Sequence, residues 1–230
     1  MRVVILQPSY IPWRGYFHQI KKADTFVFYD CVQYDKHGWR NRNKIKTSQG
    51  EQWLSVPVNT HGCVTEGRAI RDVPISWNTR WNEKHAKSIS QSYSKAPFYR
   101  EHLPLLEQIY ERRDEKLSDF TCASTELIAR ALGIRHTQFV RSSSLPAKGT
   151  KTDRLLSLLR HLGATHYISG PSALTYLELD KFSNAGITTE IIEYNYPKYP
   201  QINGAFIPDV TILDLLFNVG PEAPRFIWGK

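Results

Sequence analysis

The chain has 230 residues, of which 41% are hydrophobic, so it is long enough to bury a full core within one large α/β domain. Its formal net charge of +8 favours an anionic partner such as a nucleotide, a phosphosugar, RNA or an anionic surface. No apolar stretch approaches the ~20 residues of a membrane-spanning helix, and the first residues lack the features of a secretory signal. We therefore expect a cytoplasmic protein without membrane insertion.

The three cysteines, Cys31, Cys63 and Cys122, are few and scattered. No CxxC pair and no Cys/His pairing has the spacing of a metal site. The sequence predicts reduced thiols and no structural zinc, and it indicates no particular cofactor.

The first predicted strand, Val3 to Leu6, runs into the segment 7–17, QPSYIPWRGYF. Its β-branched apolar run is typical of a strand buried on both faces, and its prolines and glycine predict a loop before a helix. Ligands of open parallel sheets bind where such loops follow the strands. This loop is therefore the leading predicted binding site, with five candidate residues: Gln7, Tyr10, Trp13, Gly15 and Tyr16. For any one of the aromatics Tyr10, Trp13, Tyr16 and Phe17 taken alone, a core or interface position is the favoured alternative.

A second strand is predicted from Asp24 to Tyr29, which completes a β-α-β start. Asp30 lies directly after this strand, where α/β proteins place site carboxylates, and we predict that it is catalytic. Asp24, at the strand's beginning, is instead typical of a turn or cap.

Basic residues are dense from Lys36 to Lys46, next to Trp39 and Asn43. Arg42, Lys44 and Lys46 alternate with other residues at period two, so a strand would present them on one side. We predict a phosphate-binding row at Lys36, Trp39, Arg42, Asn43 and Lys44, although a charge-protected edge strand has the same pattern. A partner strand over 52–58 is predicted to pair with it through the turn 48–50, and a short strand is expected near Ala69 and Ile70.

The middle third is predicted to be helical, over 77–93, 97–113 and 117–132. In the first helix Trp77, Trp81, His85 and Ile89 share one face. His85 is a candidate catalytic base, and a histidine satisfied by a buried carbonyl is the alternative.

The α/β alternation then returns, with predicted strands over 136–140, 166–169 and 186–192 and predicted helices over 152–162 and 211–217. The second of these strands ends in Ser169-Gly170-Pro171-Ser172, at an expected helix start. We predict an anion site at Ser169, Gly170 and Ser172, with a plain capped helix as the alternative. No Walker or GxGxxG motif occurs.

An ordered set of motifs is specific: QPSYIPWRGYFHQI, DTFVFYD, QYDKHGWRNRNKIK, the WLSVPV strand, GATHYISGPSALTYL and FIPDVTILDLLFN. Together they closely resemble the bacterial WbqC-like protein family, nearly end to end. The resemblance implies a role in surface-polysaccharide (O-antigen) or related biosynthesis, and some members are labelled glycine or aminoacyl transferases. By position it also marks Asp153, Tyr176, Asp214 and Asn218 as family-like polar residues beside most of the candidates above.

The strand, the proline-bearing loop and the W-x-G-Y segment are similar in layout to the H-x-G-H loop of nucleotidyltransferases and class I synthetases. Trp13 and Tyr16 stand where those enzymes have imidazoles, so adenylyl transfer by that route lacks its donors. The analogy implies nucleotidyltransferase-like, Rossmann-type layering and a nucleotide or phosphate ligand. We predict a single domain over 1–230, with a hairpin and loop insertion at 31–76 and a helical segment at 77–133.

The leading hypothesis is a transferase that moves a glycyl, aminoacyl or other acyl group to a sugar or nucleotide-linked acceptor. Lys36, Arg42 and Lys44 would neutralise phosphate, Trp13 and Trp39 would stack on a base or sugar, and Asp30 or His85 would be the general base.

The alternative is a non-catalytic RNA- or tRNA-binding module, favoured by the aromatic residues within the basic segment 36–46. Nucleic-acid binding would weaken steeply with salt, whereas binding of a small phosphorylated ligand would not.

Overall fold

The computed structural model describes residues 1–61, 63 and 65–229. Two sheets and eight α-helices lie in these residues. The strands are β1 (Arg2–Leu6), β2 (Thr25–Phe28), β3 (Arg42–Thr47), β4 (Gly50–Ser55), β5 (Gln138–Arg141), β6 (His166–Ser169) and β7 (Thr188–Ile191). The helices are α1 (Arg14–Lys22), α2 (Trp81–Tyr93), α3 (Tyr99–Tyr110), α4 (Leu117–Ala131), α5 (Lys151–His161), α6 (Leu179–Asn184), α7 (Ile212–Val219) and α8 (Arg225–Trp228).

Five strands form one sheet in the order β5-β2-β1-β6-β7, and all neighbouring pairs are parallel. The chain adds strands outward from β1 through β2 to β5, then returns to place β6 on the other side of β1. The order therefore reverses between β1 and β6, which makes this junction the topological switch point of a doubly wound sheet. The predicted α/β class with a parallel sheet is confirmed.

The central strand β1 is buried on both faces, which explains its unbroken apolar sequence. Val4 packs in a core cluster with Ile20 of α1 and with residues of α2, α3, α4 and α7. Val3 and Ile5 pack on the other side, against α5 and α6. The strand β1 thus joins two cores. Because each fully buried side chain of this size contributes roughly 1.5–3 kcal/mol to stability, a shift of β1 by one residue would disrupt both cores.

The hairpin β3–β4 forms through the predicted turn and is antiparallel, with Lys44 opposite Trp53. The three cations of β3 do not form one exposed row. Arg42 and Lys44 are half-buried, whereas Lys46 is only 1% exposed and its Nζ donates to Gln201 Oε1 and to the Gly204 carbonyl, both at 3.1 Å.

Two of the three helices between β2 and β5 begin later than predicted, whereas α4 begins at Leu117 as predicted. The residue predicted to begin the first, Trp77, lies outside it and donates its indole N–H to the carbonyl of Asp114 at 2.9 Å, and α2 begins at Trp81. The second begins at Tyr99, and the backbone N–H of Phe98, directly before it, donates to the Phe217 carbonyl of α7 at 2.9 Å.

Four short elements differ from the prediction. The strand expected at Ala69 is a single bridge to Gln33, followed by a 3₁₀ turn over Ile70–Asp72. The helix expected after Ser169 is a 3₁₀ turn over Pro171–Thr175, and α6 and α8 were not predicted. Elements of four to six residues contain too few positions for periodicity to define them.

The long segment 192–211, which contains no helix or strand, is held in place by a buried polar network around Asp214 of α7. The Asp214 carboxylate accepts hydrogen bonds from Tyr93 of α2 (2.8 Å), from Tyr199 (2.7 Å) and from Gln201 (2.8 Å). Burial raises the pKa of Asp214, and these donors oppose that shift. In the part of the chain that the structure describes, no helix is long and apolar enough to cross a membrane.

Candidate ligand-binding site

A cavity of about 920 Å³ opens where β1 ends, at the switch point of the sheet. Its wall is contributed by parts of the chain that are far apart in sequence. These are the end of β1 and the loop after it, α1, the segment leading into β3, the start of α5, the turn after β6 and the segment 192–211. A cavity of this size is typical of small-molecule sites, which concentrate at such switch points.

The cavity wall is cationic. Four basic residues line it against a single carboxylate among the residues described there: Arg40, Lys44, Lys151 and Arg154, with Asp209 opposing them. In a cleft with low-dielectric walls, this excess of positive charge attracts an anion.

Arg40 is anchored at the first loop. One terminal nitrogen, Nη1, donates to the Gln7 carbonyl (3.2 Å) and to the Ser9 hydroxyl (3.0 Å), and its buried Nε has no hydrogen-bond partner. Burial lowers the pKa of Arg40, but an arginine stays charged at neutral pH. Its charge is therefore fixed at the cavity wall by the carbonyl oxygens of the loop that it supports.

The start of α5 forms another part of the wall. Thr150 precedes the helix without capping it through its side chain, and Lys151 opens the helix at φ +47°. The guanidinium Nε of Arg154 donates to the Gly149 carbonyl at 2.9 Å. Two cations thus lie within the first turn of an 11-residue helix, whose free N–H groups and dipole also favour negative charge.

A neutral group lies on the α1 side. The amide of Gln19, 3% exposed, is hydrogen-bonded through Nε2 to the Tyr194 hydroxyl at 2.6 Å, while its buried Oε1 has no hydrogen-bond partner. Trp13 meets Tyr194 edge-on, with ring centroids 5.0 Å apart. An unsatisfied buried amide is costly, so this wall is suited to a ligand that completes its hydrogen bonding.

The tyrosines of the wall are neutral at physiological pH. Burial raises the pKa values of Tyr29 and Tyr194 to about 12. Their hydroxyl groups can therefore donate hydrogen bonds to a ligand oxygen.

Seven of the predicted site residues line this cavity, and they come from all three predicted segments: Gln7, Trp13, Tyr16, Trp39, Asn43, Lys44 and Ser172. The tertiary structure thus brings the first loop, the basic segment and the serine-glycine turn to one place. Asn43 also supports the first loop, since its amide donates to the carbonyls of Ile11 (2.7 Å) and Tyr10 (3.1 Å).

The other eight predicted residues do not line the cavity among the residues described: Tyr10, Gly15, Asp30, Lys36, Arg42, His85, Ser169 and Gly170. Lys36 is exposed, and Arg42 donates to the His37 carbonyl. Gly15 and Gly170 shape the wall, because a Cβ atom there would lie 2.4 Å from the Trp13 ring and 2.7 Å from the Tyr194 hydroxyl.

Asp30 is fully buried between the ends of β2 and β5. Its carboxylate accepts from the Ser142 hydroxyl (2.9 Å) and from both the backbone N–H (2.9 Å) and the hydroxyl (2.8 Å) of Ser143. The Asp30 carboxylate thus links the end of β2 to the residues that follow β5.

His85 lies in the core formed by α2, α3 and α4. Its Nδ1 is hydrogen-bonded to the Tyr10 hydroxyl at 2.8 Å, which in turn contacts the Tyr110 hydroxyl. Burial lowers the pKa of His85 to about 4, so the imidazole is neutral at physiological pH.

Sequence reasoning missed several polar residues of the wall, among them Gln19, Tyr29, Arg40, Lys151, Arg154, Tyr194 and Asp209, and it marked Tyr176 only through the family resemblance. Gln19 follows Tyr16 by three positions, so their shared helix face could have predicted it. Lys151 and Arg154 have the same spacing at a helix start. Tyr194 and Asp209 come from a segment without periodicity, and only the fold brings them to the cavity.

No group of three His, Cys, Asp or Glu side chains is placed to hold a metal ion in the described ranges of the chain. The wall offers cations, amides and tyrosine hydroxyls, which bind anions and polar groups of a ligand.

The fold and the cavity together define a doubly wound α/β protein with a cationic, ligand-sized cleft at its switch point. The chain belongs to the WbqC-like protein family, whose model matches residues 7–226. It is 41% identical over 228 residues to the uncharacterized protein Rv1507c of Mycobacterium tuberculosis (strain ATCC 25618 / H37Rv), covering 98% of this chain and 97% of that one. No solved structure matches the chain. The resemblance predicted from the motifs is thereby confirmed.

Proposed function

We propose that the switch-point cavity binds a phosphate-bearing, nucleotide-type ligand and that the protein is a group-transfer enzyme of bacterial surface-polysaccharide or related biosynthesis. The observation that carries the binding proposal is the excess of cavity cations, Arg40, Lys44, Lys151 and Arg154 against Asp209, at the switch point. Cations and a helix start favour phosphate, and the indole rings of the wall favour a base or sugar. The proposal includes a nucleotidyltransferase-like arrangement of the sheet and helix layers. It also includes a location in the cytoplasm, where nucleotide-activated donors are made.

The phosphate is proposed to lie at the start of α5, between Lys151 and Arg154, with Lys44 across the cavity. Lys44 is held by Glu51, whose Oε2 lies 2.7 Å from its Nζ. The pair is partly exposed and worth little for stability, so an incoming phosphate can compete for the ammonium group.

Isothermal titration with nucleoside diphosphates tests the binding proposal. The double substitution Lys151→Gln and Arg154→Gln removes two charged donors, and we expect affinity to fall by about tenfold or more. Arg160→Gln, an exposed arginine near the other end of α5, is the matched control and should leave affinity unchanged. Equal affinities of the double variant and the control would overturn the proposal, as would an absence of nucleotide binding by the parent protein.

The proposed reaction is acyl transfer, as the family resemblance implies. An acceptor amine attacks the carbonyl carbon of an aminoacyl or acyl donor, an amide bond forms, the acyl–oxygen bond breaks, and the leaving oxygen takes up a proton. Asp30 and His85 are enclosed away from the cavity, so we assign the general base to Asp209, the carboxylate at its wall.

Mass spectrometry of a nucleotide-linked amino sugar incubated with acyl donors would detect the transferred group. We expect Asp209→Asn to lower turnover by about 10²-fold or more while nucleotide affinity changes little. Transfer at the parental rate by this variant would exclude Asp209 as the base.

A further inference from the structure

Two tryptophans that are exposed to solvent lie side by side at the rim of the cavity. Trp39 is 43% exposed and Trp53 is 46% exposed, and their ring centroids are 5.3 Å apart at an interplanar angle of 30°. Trp39 precedes β3 and also lines the cavity, whereas Trp53 lies on β4. Large aromatic side chains left half-exposed together mark an interaction surface more often than isolated ones do.

Two positively charged side chains lie against this tryptophan pair. The guanidinium of Arg42 lies 4.9 Å from the Trp53 ring centroid and the ammonium of Lys44 lies 5.2 Å from it. Within the residues described, Arg42 forms no ion pair with a carboxylate. Its charge is thus not neutralised by a carboxylate of those residues, and both tryptophans beside it remain partly exposed.

The tryptophan pair is continuous with the cavity, because both Trp39 and Lys44 belong to the cavity wall. A ligand bound in the cavity can therefore extend from it over the hairpin. Stacking rings interleaved with cations are the features by which proteins bind single-stranded nucleic acid. An uncharged sugar chain would leave the cations unused, and the bases of a duplex are not free to stack.

We propose that the ligand is the end of a single-stranded nucleic acid, with its terminal nucleotide in the cavity and the preceding bases stacked on Trp39 and Trp53. Arg42 and Lys44 neutralise the phosphates between them. This inference rests on the proposed function, because the terminal nucleotide occupies the same cavity. The partner it implies for group transfer is a nucleic acid that carries the transferred group at its end.

Fluorescence anisotropy with a labelled single-stranded hexaribonucleotide, compared with titration of a nucleoside diphosphate, tests the inference. We expect the hexamer to bind about tenfold or more tightly than the mononucleotide, as stacking of one or more bases predicts. Trp53→Ala should weaken hexamer binding by about fivefold or more and leave mononucleotide affinity unchanged. Arg42→Gln should weaken hexamer binding and reduce its salt dependence, whereas Lys87→Gln, an exposed lysine on α2, should do neither.

The outcomes separate this inference from the proposed function. Mononucleotide binding with no gain for the hexamer overturns the inference alone, as does a gain that Trp53→Ala and Arg42→Gln leave intact. The inference is also overturned if Trp53 contributes to the affinity for a nucleotide sugar but not to the affinity for the hexamer. If neither probe binds, both the proposed function and the inference are wrong.

Discussion

At the scale of single residues, the cavity shows how one helix turn can serve both packing and binding. Tyr16 and Gln19 lie on the same face of α1, both buried and both at the cavity wall. The tyrosine hydroxyl donates to the Gln7 carbonyl at 3.1 Å and so completes the first loop, whereas Gln19 keeps one amide atom unpaired. The tyrosine is satisfied within the protein, whereas the glutamine keeps a buried acceptor without a hydrogen-bond partner.

Gln19→Met should weaken binding of a nucleoside diphosphate by about two- to tenfold, because one neutral hydrogen bond to the ligand is lost. Methionine nearly conserves the volume and removes both the hydrogen bond to Tyr194 and the unpaired Oε1, two opposing effects on stability, so the melting temperature should change little. Calorimetric titration measures the affinity, and Gln108→Met, on the exposed face of α3, is the control. Unchanged affinity would show that Gln19 does not contact the ligand.

His85 predicts a dependence of stability on pH. Its pKa is lowered by burial from an ordinary 6.5 to about 4, so the unfolded chain binds the proton more readily than the folded one. The stabilising contribution is therefore present above pH 6.5 and is lost as the pH falls from 6.5 toward 4.

Urea unfolding at pH 7 and pH 4.5 measures this contribution. The parent protein should lose more of its free energy of unfolding between the two pH values than the variant His85→Gln, which cannot titrate. His61→Gln, at an exposed position, should lose as much as the parent. Identical losses in all three proteins would contradict the assignment of a neutral buried imidazole.

At the scale of elements, the end of β6 and the segment 192–211 are fitted to one another. Gly170 follows β6 at φ −83°, which any residue can adopt, so its lack of a side chain is required by packing and not by backbone conformation. A Cβ atom there would lie 2.7 Å from the Tyr194 hydroxyl. The glycine lets Tyr194 approach and hold Gln19.

Gly170→Ala should therefore displace Tyr194, lower the melting temperature and weaken ligand binding severalfold. Tyr194→Phe removes the hydroxyl that the new methyl group would strike. In the Tyr194→Phe background, Gly170→Ala should thus cost less stability than in the parent, which a double-mutant cycle of melting temperatures detects. Strictly additive effects would place the clash elsewhere.

At the scale of the whole molecule, the two faces of the parallel sheet carry two core clusters that share strands. β1 contributes Val4 to one cluster and Val3 and Ile5 to the other. Residues between β2 and β5, including α2, α3 and α4, pack in the first cluster, and α5 and α6 pack in the second. The shared strand couples the stability of both layers.

We accordingly expect one cooperative unfolding transition, as the predicted single domain requires. Hydrogen exchange at increasing denaturant should give the same free energy of opening for the amides of α4 and of β6. The substitution Val4→Ala should lower these two free energies by the same amount. Earlier exchange of α2, α3 and α4 as a group would instead show that the helical segment is a separate unit.

The sequence by itself determined the parallel α/β class, the hairpin, most helices and the family, because hydrophobic periodicity and ordered motifs are local properties of the chain. It also identified three segments of the cavity wall, because loops after strands and serine-glycine turns can be recognised from local sequence. Local pattern could not show that Asp30 and His85 are buried and do not line that cavity. A carboxylate bound to Ser142 and Ser143 and an imidazole bound to Tyr10 have the sequence context of site residues.

Only the tertiary structure decided which residues meet in the cavity. Arg154 and Tyr194 line the same cavity as the end of β1 because the strand order reverses between β1 and β6, although they lie more than 140 positions away in sequence. The same long-range packing buries Lys46 and leaves Trp53 exposed on one hairpin. Burial depends on what the rest of the chain brings to each face, and no local spacing contains that information.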